Sequence, residues 1–227
     1  MTRPSYVVRQ AMPEDIPRII ELCKAVYTEG PPWSEKQLLS HQAIFPEGQL
    51  LVTDESGGMV VGFAASLIVR WDDYDWTTPW RDFTAGGYFT NHDPKSGRTL
   101  YGAEIMVHPA HQGTGAGSAL YKFREELVRR LGLLRIRAGA RLRGYHQHAK
   151  QMTAEDYTHA VIEGRLKDPT LSFQLKRGFH VLRVISGYLR HDSESMGFAA
   201  VIEWINPEVA TAEDFVHLHE SEFHTTS

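Results

Sequence analysis

Apolar positions near the N-terminus change period within a few residues. Residues 6–9 form a short β-prone run, after which Ile16, Ile19, Ile20, Cys23, Val26 and Tyr27 recur at helical spacing. They predict an amphipathic helix with Cys23 on its core face. Asp15 is placed to cap the orphan N–H groups of that helix, and Pro17 sits in its first turn, where the missing donor costs little. Gly30, Pro31 and Pro32 break it. Ser34 with Gln37 three residues later has the form of a capping box, opening a second helix to about residue 44. Beyond Pro46 and Gly48, residues 50–53 and 59–71 read as a hairpin turning at Glu55-Ser56-Gly57-Gly58, with Val60, Val61 and Phe63 suited to a buried sheet.

The periodicity fails over 72–97, where Trp76, Trp80, Phe83, Tyr88 and Phe89 lie among Gly, Pro, Asp and Asn. Such a segment is either a lid or binding loop, or an insertion whose aromatic residues fold onto a neighbouring surface. Order then returns. Residues 99–107 read as a strand, Ala116, Ala119, Leu120, Phe123, Leu127 and Leu131 as the apolar stripe of a helix ended by Gly132, and 133–138 as another strand. A second insertion at 139–167 contains a helix beginning near Thr153, and Asp168 with Pro169 caps a short helix that stops before Gly178. Strands at 179–189 and 198–205 follow. The charged tail, 208–227, carries a last short helix capped by Thr211. These elements predict one α+β domain over 1–207 with a mixed sheet flanked by helices.

The 227 residues suffice for a sizeable core, and a hydrophobic fraction of 42% with 23% charged residues excludes wholesale disorder or a disulfide-built scaffold. With 24 Lys and Arg against 28 Asp and Glu, net charge is −4 with His neutral, so no excess positive field draws the chain onto nucleic acid. The single cysteine forms no internal disulfide, the first ten residues hold no apolar leader, and no stretch approaches ~18 uninterrupted apolar residues. A soluble protein of a reducing, cytoplasmic compartment with no membrane partner is expected.

The strongest chemical signal lies between a strand and a helix, in Val107-His108-Pro109-Ala110-His111-Gln112-Gly113-Thr114-Gly115-Ala116-Gly117-Ser118. Glycines allow close approach to the backbone, and unpaired N–H groups at a helix start aim donors and the positive dipole end at an anion. A glycine turn with no ligand is the alternative. A Walker loop is absent, because Ser118 and Ala119 stand where Lys and Ser or Thr are required. The G-x-G-x-x-G pattern fails as well, its last glycine falling on Ser118 or Leu120. The pattern that fits is Q/R-x-x-G-x-G/A, filled from Gln112 to Gly117.

On this motif, with Val107-His108-Pro109 leading into it, the sequence resembles the GNAT superfamily of acyl-CoA-dependent N-acetyltransferases. The likeness covers most of the chain in order. Val8-Arg9-Gln10-Ala11 with Glu14-Asp15 looks like the family's first strand and helix, and Lys176-Arg177-Gly178-Phe179 like its late helix entering a strand. Phe45-Pro46-Glu47-Gly48-Gln49, Gly144-Tyr145-His146 and Asp168-Pro169-Thr170-Leu171-Ser172-Phe173-Gln174-Leu175 look like one subgroup, the GNAT-type domain joined to a nitrilase-like carbon–nitrogen hydrolase.

The resemblance implies a GNAT fold with a mostly antiparallel central sheet, and acetyl-CoA or another acyl-CoA as co-substrate. It implies that Gln112, Gly113, Thr114, Gly115, Ala116, Gly117 and Ser118 bind the coenzyme's diphosphate. It also implies that Met106 and Val107 offer backbone groups to the pantetheine arm and thioester where the sheet opens, and that Ser172 and Phe173 on the late helix border the coenzyme.

Acyl transfer to an amine needs the amine neutral, a partner for the developing oxyanion and a proton for the departing thiolate. Glu104 is the candidate general base. Counting in twos puts Leu100, Gly102 and Met106 on its face of the strand, an apolar setting that raises a carboxyl pKa unless a cation pairs with it. A structural ion pair or hydrogen bond is the alternative role. The family's late helix usually supplies a Tyr four residues before the Gly-Phe pair, and here Gln174 holds that position. The proton source is then open between Tyr145, Tyr157 and Tyr188, unaided departure of the thiolate, or loss of catalysis.

His146 with His148 and His217 with His219 lack further ligands at metal spacing, so they read as solvated or hydrogen-bonded imidazoles and no metal is expected. Arg141, Arg143, Tyr145, His146 and His148 line an acceptor site, reach the coenzyme's 3′-phosphate, or form a solvated basic turn. Two functions follow. One is an N-acyltransferase acting by direct attack of a primary amine of a small molecule or peptide. The other is a non-catalytic or weakly catalytic acyl-CoA-binding module serving a hydrolase-type partner. An exposed final strand edge is expected to favour a homodimer.

Overall fold

The computed structural model describes residues 5–27, 31–54, 58–219 and 221–223. Gly30, the Glu55-Ser56-Gly57 part of the hairpin turn, the side chain of His219 and the end of the tail lie outside them. Strands β1 (Tyr6–Gln10), β2 (Gln49–Asp54), β3 (Val60–Val69), β4 (Thr99–Val107), β5 (Arg135–Arg141), β6 (His180–Ile185) and β7 (Ala199–Ile205) form one sheet in the order β1-β2-β3-β4-β5-β7-β6. Only β4 and β5 run parallel. Helices α1 (Ile16–Val26), α2 (Glu35–Ile44), α3 (Trp80–Phe83), α4 (Ala116–Arg130), α5 (Ala154–Ile162), α6 (Leu171–Leu175) and α7 (Val216–His219) complete an α+β fold. One core, around Ile19, Leu51, Phe63, Tyr101 and Met106, lies with α1 and the 72–97 segment; the other, around Leu100, Tyr121, Leu127 and Ile136, lies with α4, α5 and α6.

Local signals act as the sequence requires at Ser34, whose hydroxyl accepts from the Gln37 N–H at 3.3 Å while Gln37 Oε1 accepts from the Ser34 N–H at 3.1 Å. Thr153 and Asp156 form the same reciprocal box before α5. Asp15 behaves differently from the expectation. Its carboxylate accepts from the Met12 N–H and binds Arg9 and Arg18, at 2.6 and 2.5 Å, instead of capping α1. The Arg9 hydrogen bond, chiefly, outweighs burial and holds that carboxyl at about 2. Cys23 is a core thiol, pushed by burial to about 11.

Several strand limits move. β3 ends at Val69, and Trp71 begins a short helical turn. β6 stops at Ile185, before Gly187 takes a positive φ of 68°. β5 starts two residues later than expected and continues through Arg141, because tertiary partners neutralise arginines that would otherwise oppose burial. Arg137 meets Glu203 of β7 at 2.6 Å, and Arg141 meets Asp192 at 2.5 Å. The expected exposed final strand is corrected by the sheet order: β7 lies between β5 and β6, and β6 forms that edge. Ser221 Oγ donates to the Val181 and Leu182 carbonyls of β6.

The 72–97 segment folds most of its aromatic residues onto the domain, the second of its two expected roles, while Tyr88 stays exposed. Phe83 stacks on Tyr74 and Tyr101, with centroids at 4.5 and 4.7 Å, and Phe89 stacks on His41 at 3.7 Å. Helix α2 holds three consecutive carbonyls of the segment: Gln37 Nε2 donates to Gly86, His41 Nε2 to Gly87 and Ser40 Oγ to Tyr88. Burial lowers the His41 imidazole to about 4, so at neutral pH it serves as an uncharged donor.

Candidate active site

The site begins with a bulge in β4. Ala65 of β3 faces Glu104 and Ser66 faces Gly102, so Ala103 is an extra residue on the longer side. This shifts the alternation by one residue. Tyr101 and Met106 join the α1-side core, whereas Leu100 and Ile105 face the opposite one, and a Cβ on Gly102 would meet Arg124. The expectation that Leu100 and Gly102 share a face with Glu104 and Met106 is therefore corrected: a count in twos does not survive an inserted residue.

The bulge frees two carbonyls, and two side chains distant in sequence satisfy them. Trp80 Nε1 donates to Ala103 O at 2.8 Å. Arg124, 1% exposed on α4, donates to Glu104 O, to Ala65 O at 2.8 Å and to Ser66 Oγ at 3.0 Å. Beyond the bulge the sheet splits. β4 and β5 pair only at Thr99, Leu100 and Tyr101, although both strands run on, to Val107 and Arg141. Met106 and Val107 remain paired to β3 on one side and have no strand partner in β5 on the other.

Glu104 sits at this split. Tyr27 donates to its Oε1 at 2.6 Å, the Ile105 N–H to the same oxygen at 2.9 Å and Trp33 Nε1 to Oε2 at 3.2 Å. Burial raises the carboxyl pKa, and these three donors with the Arg141 charge only partly oppose it. The arrangement can exchange a proton while keeping the carboxylate oriented. Arg141 is itself held by Asp192 and Glu194 and lies 5.9 Å from the Tyr27 ring centroid. Arg143 pairs with Glu194 at 2.8 Å, and His146 Nδ1 lies 2.9 Å from the Glu194 carbonyl. The basic cluster is thus a neutralised ion-pair network.

At the end of β4 the glycine turn meets the start of α4. Gly113 and Gly115 have φ of 75° and 110°, and a Cβ at either would have nothing within 4 Å, which describes an open cradle. The N–H groups of Ala116, Gly117 and Ser118 are the orphan donors of the first helical turn. Gln112 Nε2 reaches back to Val107 O at 3.4 Å, and Thr114 Oγ1 donates to His111 O at 2.5 Å. A Cβ on Gly117 would touch the Phe173 ring at 3.4 Å, so α6 walls one side of the helix start. Ser172 Oγ accepts from the Asp168 N–H at 2.9 Å. Open backbone donors and a dipole end suit a diphosphate.

Gln174 is buried and donates to the Tyr121 hydroxyl at 2.8 Å, while its Oε1 has no partner. The three phenols expected as proton sources have other partners: Tyr145 donates to Met152 O, Tyr157 to Asp168, and Tyr188 pairs with Tyr101 at 2.6 Å. Tyr121 was not among them. Nor were Tyr27, Trp33 and Arg124 singled out. Arg124 has a readable signal, since it falls at helical spacing with Leu120, Tyr121, Leu127 and Val128, the face that α4 buries, whereas Phe123 and Leu131 are exposed. His217 pairs with Glu203 at 2.5 Å, and among the described residues no group of three potential ligands is placed to hold a metal. Nor is any described helix long and apolar enough to cross a membrane.

A mixed sheet that splits between its one parallel pair, with a glycine turn and helix start at the split, defines a GNAT fold. The chain belongs to the Acetyltransferase (GNAT) family, whose model matches residues 16–152. It is 36% identical over 206 residues to "Uncharacterized N-acetyltransferase YkwB" of Bacillus subtilis (strain 168), covering 89% of each chain. It is 40% identical over 200 residues to "Probable hydrolase YhcX" of the same organism, covering 88% of this chain but only 38% of that protein's length. The solved GphF GNAT-like decarboxylase in complex with isobutyryl-CoA shares the fold, with a TM-score of 0.72 at 24% identity, covering 88% of this chain and 99% of that one.

Proposed function

We propose that this protein is an N-acyltransferase that moves an acetyl or related acyl group from acyl-CoA to a primary amine by direct attack. The observation that carries this reading is Glu104, a half-buried, donor-oriented carboxyl with a raised pKa at the split between β4 and β5. Backbone donors from Gly113 to Ser118 hold the coenzyme's diphosphate, with Phe173 and Ser172 alongside. The backbone at Met106 and Val107, where β4 has no partner in β5, binds the pantetheine arm and polarises the thioester carbonyl. Glu104 takes the amine proton, directly or through water, as the C–N bond forms and the C–S bond breaks; the thiolate leaves and is protonated afterwards. The acyl-CoA bound to the GphF neighbour supports the choice of co-substrate.

The second reading, a coenzyme-binding module serving a hydrolase-type partner, is favoured by Gln174, since an amide does not deliver a proton. The match to a longer relative described as a probable hydrolase also favours it. Calorimetric titration with acetyl-CoA, CoA, ATP and NAD, followed by thiol release with a panel of amines, separates the two. Coenzyme binding with amine-dependent thiol release that Glu104→Gln removes supports the transferase. Binding without release across the panel supports the module, and no binding of either coenzyme form refutes both.

A further inference from the structure

Where β4 and β5 part, a continuous run of side chains from α4 and α6 covers one face of the split. Gly102 and Ala138 follow directly on the last paired positions, Tyr101 and Arg137. A Cβ on Gly102 would lie 3.5 Å from the Ala138 methyl and 3.2 Å from an Arg124 guanidinium nitrogen. That guanidinium stands 5.8 Å from the centroid of the Tyr121 ring, and the ring meets Phe173 edge-on at 5.6 Å. Phe173 in turn reaches Gly117 at the start of α4, where the side chain of Val107, the last residue of β4, also arrives. Tyr121 therefore lies between the split and the glycine turn. Its core is the one opposite to that of Tyr27 and Trp33, the donors to Glu104.

Two polar groups are open at this place. Gln174 of α6, 3% exposed, donates through Nε2 to the Tyr121 oxygen at 2.8 Å. The phenol is thus the acceptor in that contact, and among the described residues no acceptor takes its own proton. Gln174 Oε1 has no donor. Buried groups left unmet are costly, so an open donor beside an open acceptor calls for a ligand that offers both complements. The reactive end of an acyl-CoA does so, since its last amide N–H is joined to the sulfur by a short ethylene link. Burial raises the Tyr121 pKa, whereas the Arg124 charge and the Gln174 N–H oppose it, so both groups would steady a phenolate formed there.

We propose that Tyr121 hands its proton to the departing coenzyme sulfur, while Gln174 orients the phenol through Nε2 and takes the neighbouring coenzyme amide N–H on Oε1. This rests on the functional reading above. When the C–S bond breaks, its electron pair stays on sulfur, and the Tyr121 proton moves to that sulfur to give the free thiol. The phenolate then regains a proton from water, and the proton taken from the amine leaves through Glu104 on the other face. The amide that cannot deliver a proton serves the phenol that can.

The test compares acetyl-CoA with its selenoester analogue, whose more acidic selenol departs without a proton. Amide formation with the same amine is followed for both. Tyr121→Phe should lower kcat on the thioester about a hundredfold, the scale of general acid catalysis, with only a small loss on the selenoester. A readout without turnover is the ionisation of bound CoA, followed as the ultraviolet thiolate absorbance of the CoA complex minus that of the desulfo-CoA complex. A donor to sulfur favours the thiolate, so the bound thiol should ionise at higher pH in Tyr121→Phe. Gln174→Met, which removes both amide contacts, should weaken CoA binding about twofold to tenfold in calorimetry and slow the thioester more than the selenoester. Equal losses on the two esters, or a bound thiol that ionises at the same pH with and without the phenol, overturn this inference alone. No binding of CoA or acetyl-CoA by the unsubstituted protein overturns the functional reading with it.

Discussion

Replacing Tyr27 by Phe removes one hydrogen bond from Glu104 and leaves the ring in place. The phenol is a pure donor, because burial and the neighbouring Glu104 charge push its pKa well above the ordinary value. Its 2.6 Å bond to Oε1 favours the ionised carboxyl. A hydrogen bond to a charged group contributes about 1.5–3 kcal/mol, and one pKa unit corresponds to about 1.4 kcal/mol. The neutral acid still accepts weakly from the phenol, so the lower end applies and a shift of about one unit is expected. Its sign is fixed: the proposed base works ionised, burial already raises the Glu104 pKa, and loss of a donor raises it further. The acid limb of kcat/KM for amine-dependent thiol release should therefore move to higher pH by about one unit, with the rate recovering above it. The same amine is used for both proteins, so its ionisation cancels in the comparison. An unmoved limb, with a rate lowered equally at every pH, would refute Glu104 as the base.

Asp15→Asn should destabilise the protein by about 2 kcal/mol at pH 7, since the carboxyl is held at about 2 instead of 3.8. That stabilisation is present above the unfolded pKa and is lost as pH falls through the folded one, so denaturation curves of the two proteins should converge near pH ~2. Arg124→Met leaves Ala65 O, Ser66 Oγ and Glu104 O without their donor. At about 1–3 kcal/mol for each orphaned acceptor, and with some relief from no longer burying a charge, about 3 kcal/mol should be lost. Thermal unfolding should show this as a Tm about 6–12 °C lower. Gly115→Val forces a β-branched residue to a φ of 110° in open space. Coenzyme affinity should disappear in calorimetry while the circular dichroism spectrum is kept.

Much of the fold is legible because its signals are local. The capping boxes at Ser34 and Thr153, the strand over Thr99–Val107 and the glycine turn each depend on residues within a few positions of one another. Glu104 stands out for a similar reason, as a carboxylate in an apolar strand. Its surroundings do not, because Tyr27, Trp33 and Arg124 meet it only after α1, α2 and α4 have packed on the sheet. The helical stripe of α4 shows the same limit. Hydrophobicity favours Phe123 and Leu131, but the folded helix buries Tyr121 and Arg124, because the freed carbonyls of β3 and β4 need a donor there.

The sequence by itself determined the order of elements, the glycine turn between β4 and α4, and a carboxylate three residues before that strand ends. Tertiary structure alone decided the bulge at Ala103, the face that Glu104 takes, the burial of Arg137 and the pairing of Arg141 within β5, and the inner position of β7. The physical reason is that a bulge, a buried charge and a strand's neighbours are set by which hydrogen-bonding groups meet across the sheet. Those partners lie dozens of residues away along the chain.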